Sequence, residues 1–317
     1  MFFVSVIMPL YNKELYVERA IRSVLAQSFE DFELIVVNDG STDNGPEKVR
    51  AVKDLRIRII EQSNAGVSAA RNRGIGQAQA DLIAFLDADD EWEKDYLETI
   101  LRLRDKFPSC EVFATSYFIL TEDGKKRRAI IRGLPEKFSE SILNNYFFVA
   151  AQSDPPLWTS AVAITKHAIN SAGGFPVGIT AGEDLLTWAR LAVRYDIAYC
   201  NVPKAYFWEP REITDRPGRL PQIPDTVGNE LLKLMCKSLP SRVVGMRNYL
   251  ALWHRMKGVI FMRCGDRRSA VAEFRTAIRY APSIKLYFLL ILMLMPLTIG
   301  RKMYVILNRL RAELRAK

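Results

Sequence analysis

The chain has 317 residues, 49% hydrophobic and 26% charged, enough for one large domain with an appendage or for two domains, and too apolar for a disordered protein. Its net charge of +9 is uneven: residues 241–317 hold sixteen Lys/Arg against three acids, a local +13 that leaves −4 for the rest. Four scattered cysteines without C-x-x-C spacing argue against zinc and against a disulfide framework, and two histidines leave little material for His-based catalysis.

Residues 2–8 are apolar and β-branched, a buried first strand stopped by Pro9. No signal-peptide pattern precedes it. Leu10-Tyr11-Asn12-Lys13-Glu14 stands where a dinucleotide-binding strand would continue into G-x-G-x-x-G, which argues against a nicotinamide or flavin enzyme. Residues 15–27 keep a helical period, and 32–37 read as a second buried strand. That strand ends in Asn38-Asp39-Gly40-Ser41-Thr42-Asp43, where Gly40 allows a tight turn and Asp43 can cap a helix over 47–53. A third strand at 56–60 leads into a small-residue helix opening within residues 64–74. The fourth, 82–86, runs into Asp87-Ala88-Asp89-Asp90, three carboxylates within four residues.

Strand–helix alternation predicts a parallel, doubly wound sheet, and ligands of such sheets collect at the carboxyl ends of the strands. Crowded carboxylates repel unless one is protonated or a cation lies between them. Mg²⁺ or Mn²⁺, in company with substrate phosphates, answers that requirement. The alternative is that Asp89 and Asp90 cap a helix over 91–103.

Strands at 112–120 and 128–131 flank a hairpin signal at 121–125. A helix is expected over 138–149, and residues 155–164 bring Trp158 into a short strand. After the turn Gly173-Gly174-Phe175-Pro176, the pair Glu183-Asp184 precedes a helix at 185–195, either as a favourable helix start or as reactive groups. The proline-rich stretch 208–226 reads as an irregular flap. Helices follow at 231–239, 249–261 and 268–280. The segment 286–299 is the most apolar, shorter than the ~20 residues a span requires, and flanked by Lys285, Arg301, Lys302, Arg309, Arg311, Arg315 and Lys317. Apolar insertion combined with polybasic attraction suits an anionic membrane surface; a buried core helix is the alternative.

Ser5-Val6-Ile7-Met8-Pro9-Leu10-Tyr11-Asn12, Val37 to Asp43, Asn64-Ala65-Gly66 with Ala70-Arg71-Asn72-Arg73-Gly74, and Phe85 to Asp90 together resemble the family 2 glycosyltransferases of the GT-A fold. The resemblance, carried by motifs over about 90 residues and fainter to about residue 210, implies a doubly wound, mostly parallel α/β sheet with helices on both faces, placed at 1–225; helical periodicity makes 226–317 a helical C-terminal extension. It implies inverting, metal-dependent transfer of one sugar from a nucleoside-diphosphate sugar, UDP first, to an acceptor hydroxyl in cell-surface glycan synthesis. Carried over by position, Pro9, Tyr11 and Glu14 line the base and ribose pocket, and Asp39 hydrogen-bonds the base. Gly66 and Arg71 meet ribose and diphosphate. Asp87, with Ala88, holds ribose or sugar, and Asp89 holds the Mn²⁺ or Mg²⁺ with Asp87 beside it. Glu183-Asp184 supplies the general base, Asp184 first. The flap would lend Arg211 or Arg216 to the diphosphate.

Departures from the pattern are Asn38 for a frequent Asp, Ala80 for a frequent Gly, and no Trp directly after the acid pair. The absence of Q-x-x-R-W disfavours processive synthases. The expected place is cytoplasmic, peripheral on the inner face of the cell membrane, with no nucleic-acid partner. Two rivals remain: a metal-dependent nucleic-acid enzyme, whose basic residues would have to lie near the acids, and a degenerate, membrane-bound interaction module, which would not need intact acids.

Overall fold

The computed structural model describes residues 3–121, 124–134, 139–209, 224–296 and 303–304. They form two compact units. The first takes the chain to Asn144, Ser153–Gly178, and Glu183 onward to the end of the sheet. The second takes Asn145–Gln152, Ile179–Gly182 and the described part of the chain beyond residue 211. The two short segments lie on the N-terminal side of the 225/226 boundary yet go with the helical unit.

In the first unit β1 (Val4–Leu10), α1 (Val17–Leu25), β2 (Phe32–Asp39), α2 (Gly45–Ala51), β3 (Ile57–Gln62), α3 (Val67–Gln77) and β4 (Leu82–Phe85) alternate as the pattern predicts. β1 pairs in parallel with β2 and β4, and β2 with β3. Leu10 lies opposite Asn38, Asn38 opposite Glu61, and Ile7 opposite Phe85, so all four strands release their next residues at one edge. Then follow β5 (Glu91–Trp92), α4 (Tyr96–Lys106), β6 (Val112–Thr121), β7 (Lys126–Arg128) and β8 (Glu140–Ile142). After α5 (Tyr146–Gln152), which belongs to the second unit, come β9 (Val162–Thr165), α6 (Lys166–Ser171), α7 (Glu183–Ala192) and β10 (Ile197–Glu209).

The sheet order is β3-β2-β1-β4-β9-β6-β10-β5, with β7 on β6 and β8 on β10. Strands β3, β2, β1, β4, β6 and β10 run one way; β9 and β5 oppose them. Alternate β1 residues Val4, Val6, Met8 and Leu10 bury against Val17, Ala20, Ile21 and Val24 of α1 and Leu97 and Ile100 of α4. Ile7 points the other way, under α3. A Cβ added to Gly74 of α3 would stand 2.5 Å from the Ile7 Cγ2, so the small side chain sets how closely the helix lies on the strand. This gives a mostly parallel, doubly wound sheet with helices on both faces.

Local expectations are corrected at several places. Pro9 does not stop β1, which runs to Leu10 with Pro9 opposite Val37, and Trp158 precedes a 3-10 turn at Thr159–Ala161 rather than lying in the strand that starts at Val162. Glu91 and Trp92 pair with Tyr206 and Ala205, so α4 starts only at Tyr96, and neither Asp89 nor Asp90 caps it. Glu140–Ile142 is a strand on β10, which confines the helix expected over 138–149 to Tyr146–Gln152. The hairpin strand is Lys126–Arg128, while Glu122 and Asp123 lie outside the described residues. Trp208 and Glu209 belong to β10; the rest of the flap up to 223, with Arg211 and Arg216, lies outside the described residues.

The second unit contains α5, α8 (Thr226–Lys237), α9 (Met246–Cys264), α10 (Arg267–Tyr280) and α11 (Ile284–Leu292). Asp225, Asp266 and Ser283 cap α8, α10 and α11 through the backbone N–H groups of Gly228, Ser269 and Leu286. Ala270, Phe274 and Ala277 of α10 bury with Ala251, Phe261 and Met262 of α9. A polar network crosses this packing: Lys257 Nζ reaches Asp225 at 2.8 Å and Glu273 at 2.6 Å, and His254 Nδ1 meets Glu273 at 2.7 Å. Among the described residues no helix is long and apolar enough to cross a membrane. Residues 297–302 and 305–317, with Arg301, Lys302, Arg309, Arg311, Arg315 and Lys317, lie outside the described residues.

Candidate active site

The loops leaving β1, β2 and β3 are laced together. The Asn12 side-chain carbonyl accepts from the Thr42 N–H at 2.8 Å, the Glu14 carboxylate accepts from Asn44 N–H at 2.8 Å, and Asp43 accepts from Glu14 N–H at 2.8 Å. Asp39 is buried, and its carboxylate accepts from Gln62 Nε2 at 2.7 Å and from the N–H groups of Ala65 and Gly66 at 2.8 and 2.9 Å. In this structure Asp39 therefore shapes the entrance to α3. Gly40, at φ +71°, lets Asn64 pass, since a Cβ there would stand 2.9 Å from the Asn64 nitrogen. Pro9 is partly buried opposite Val37, while Tyr11 is half exposed at the same edge. Its ring is thus available as a stacking platform.

β4 ends at Phe85, and the three acids that follow take different surroundings. Asp87 faces Arg71 at 2.7 Å, and its N–H donates to Ser160 Oγ at 3.1 Å. Asp89 faces Lys13 at 2.5 Å, and its carbonyl accepts from Arg19 at 2.8 Å. Asp90 is buried, accepting from Ser160 Oγ at 2.5 Å, Trp158 Nε1 at 3.1 Å and the Trp208 N–H at 3.2 Å. Burial above all, then the charges of Asp89 and Asp87, push its carboxyl well above the usual range. Asp90 anchors the loop, leaving Asp87 and Asp89 at the surface, with side chains 26% and 31% exposed.

Glu183 and Asp184 open α7, reached from α3 through Phe175. The Asn72 side-chain amide holds the Phe175 backbone on both sides, accepting from its N–H at 2.8 Å and donating to its carbonyl at 2.7 Å. The Phe175 ring packs edge-to-face on Phe85 and on Trp188 of α7, centroids 5.3 and 5.7 Å apart, with the Arg71 guanidinium 5.1 Å above it. Burial works against the charge on Arg71, but Asp87 first, then Glu183 and Asp184, hold its pKa above the ordinary value. Asp184 is pushed up by burial, eased by its bond from the Leu185 N–H and by Arg71, and pushed again by Asp87; the net direction is upward. One guanidinium thus stands within electrostatic reach of both the strand-end acids and the acid pair.

Among the described residues no group of three or more His, Cys, Asp or Glu could hold a metal ion by itself. Asp87 and Asp89 each already attract a cation, Arg71 and Lys13. Two partly exposed carboxylates fit a hard divalent ion whose remaining positions would be filled by substrate phosphates and water. The structure brings together Arg71, Asp87, Glu183 and Asp184, with Asp89 two residues beyond Asp87. It joins Tyr11, Glu14, Asp39 and Gly66 through the laced loops. Lys13, Asn72 and Ser160 carry roles that sequence reasoning missed; the Lys13–Asp89 pair spans 76 positions and leaves no local signal.

Residues 5–161 match the model of Glycosyl transferase family 2. An uncharacterized glycosyltransferase of Rickettsia conorii is 33% identical over 196 residues, 61% of this chain and 31% of that protein. A putative teichuronic acid biosynthesis glycosyltransferase, TuaG of Bacillus subtilis, is 40% identical over 124 residues, covering 38% of this chain and 49% of that one. The chain spans less than a third of the length of the Rickettsia conorii relative. Among solved structures, S. aureus TarS 1-349 in complex with UDP-GlcNAc superposes with a TM-score of 0.67 at 19% identity, over 89% of this chain and 82% of that one. The mannosyltransferase PcManGT from Pyrobaculum calidifontis, in complex with GDP-Man and Mn²⁺, gives 0.58 at 21% identity, over 90% and 78%. At these identities the structures bear on the fold.

Proposed function

Since residues 5–161 match the Glycosyl transferase family 2 model, we propose that the protein is a glycosyltransferase moving one sugar from a nucleoside-diphosphate sugar to an acceptor hydroxyl. The observation that carries this reading is Arg71, buried between Asp87 at the strand end and the acid pair at the start of α7. It ties a diphosphate-binding edge to a base. UDP is the first candidate nucleotide, consistent with the UDP-GlcNAc complex of TarS. The teichuronic acid relative supports a role in cell-surface glycan synthesis. The basic C-terminal part supports a peripheral position on the inner face of the cell membrane.

In this reading Tyr11 stacks on the base, an interaction worth about 1–3 kcal/mol in base–aromatic contacts generally. Pro9, Glu14, Asp39 and Gly66 shape the pocket for base and ribose. Asp89 and Asp87 would hold Mn²⁺ or Mg²⁺, which when bound neutralises charge on a departing diphosphate. Arg71 adds a fixed positive charge at the same edge. Asp184, with Glu183 in reserve, accepts the acceptor's proton as attack proceeds; its raised pKa makes it a stronger base than an ordinary carboxylate. Attack from the face opposite the diphosphate inverts the anomeric centre.

The test is a screen of UDP, GDP and dTDP sugars for Mn²⁺-dependent hydrolysis. One donor class should be hydrolysed by the wild type and left intact by Asp89→Ala. No hydrolysis of any donor, or equal rates in the two proteins, would refute the proposal.

A further inference from the structure

The apolar segment that begins with α11 has two faces. Leu286, Leu289 and Leu292, with Met293 just beyond, are buried in the core of the helical unit. Ile284, Tyr287, Ile291 and Leu294 are 90, 51, 57 and 81% exposed. Their spacing of three, four and three places them along one ridge. Single exposed apolar side chains are ordinary; four large ones in a row mark a surface that meets something apolar.

The stretch that carries this ridge, residues 246–296, holds nine Lys/Arg against two acids, Asp266 and Glu273. Glu273 bonds His254 and Lys257 within the unit, and Asp266, exposed, caps α10 through Ser269. Arg247, Arg268, Arg275 and Arg279 are exposed. A second copy meeting this ridge through the same face would bring the same positive charge to it. An anionic leaflet offers the complement, taking apolar side chains between its headgroups while its surface attracts arginine. The nine residues of α11 are too few for the ~20 a bilayer span requires, so the helix would lie in the plane of the interface.

We propose that the Ile284–Tyr287–Ile291–Leu294 ridge of α11 is a membrane-docking surface for anionic phospholipid. It deepens the peripheral-membrane part of the proposed function and does not depend on the transfer chemistry. The test is co-sedimentation of the full chain with vesicles of phosphatidylcholine alone or mixed with phosphatidylglycerol. The wild type should partition onto the phosphatidylglycerol vesicles and release as salt rises. Ile291→Ser with Leu294→Ser, at positions already exposed, should weaken partitioning roughly tenfold or more. Arg275→Gln and Arg279→Gln should weaken it by about fivefold each. UDP affinity in solution should match wild type in all variants; its absence from the wild type would count against the transferase reading alone. The inference is overturned if wild type ignores phosphatidylglycerol vesicles or if the serine variant partitions unchanged. A dimer in light scattering that the serine variant dissolves would also overturn it, because the ridge would then be a protein interface.

Discussion

Arg71→Met removes the guanidinium from between Asp87 and Asp184 while keeping an unbranched side chain over Phe175. Arg71 is 4% exposed, and its partner Asp87 stands at 2.7 Å with a side chain 26% exposed. Breaking a buried pair from one side costs about 3–5 kcal/mol. Water can reach Asp87 and recover part of that, so a loss of about 2–3 kcal/mol is expected. The substitution also acts on Asp184, because Arg71 pulls its pKa down while Asp87 pushes it up. Without Arg71 the Asp184 pKa rises further. A base works deprotonated, so the acid limb of the rate profile, already above the ordinary carboxylate range, should move to higher pH. At a fixed pH below the limb, activity falls about tenfold for each unit the limb moves. Urea unfolding and the pH dependence of kcat/KM read the two effects separately. Unfolding free energy within about 0.5 kcal/mol of wild type, together with a superimposable pH profile, would refute the central place given to Arg71.

Asp184→Asn should lower kcat by about 10²–10⁴-fold with donor KM and melting temperature unchanged, checked by steady-state transfer and calorimetry. Asp90→Ala leaves Ser160, Trp158 and the Trp208 N–H without their acceptor; it should destabilise by about 2–4 kcal/mol in urea unfolding. Gly74→Ala drives a methyl onto Ile7 and should cost about 1–3 kcal/mol, read as a lower melting temperature.

Strand and helix identities as far as Phe85 were legible because buried parallel strands write continuous apolar runs and the intervening helices write a 3.6 period. The fine ends were not. Glu91 and Trp92 look like the first turn of a helix, but cross-strand pairing with Tyr206 and Ala205, over a hundred positions away, claims them. Glu140–Ile142 was hidden in the same manner by its pairing with β10. At the site, the D-x-D run and the Glu183-Asp184 pair were visible as local clusters of charge. Asp90 was separable from Asp87 and Asp89 only as a possible helix cap; its real partners, Trp158 and Ser160, lie about 70 positions away and leave no local signal. Asn72 and Lys13 act through partners 103 and 76 positions away, a relation that periodicity and spacing do not encode.

The most direct measurement is a crystal soaked with Mn²⁺ and UDP, with data collected at the manganese edge. An anomalous peak beside Asp89, bridged to the pyrophosphate, with Lys13 displaced from the carboxylate, is the predicted result. UDP bound elsewhere, or bound at this edge with Lys13 still on Asp89 and no manganese, would contradict the assignment of this strand end as the donor site.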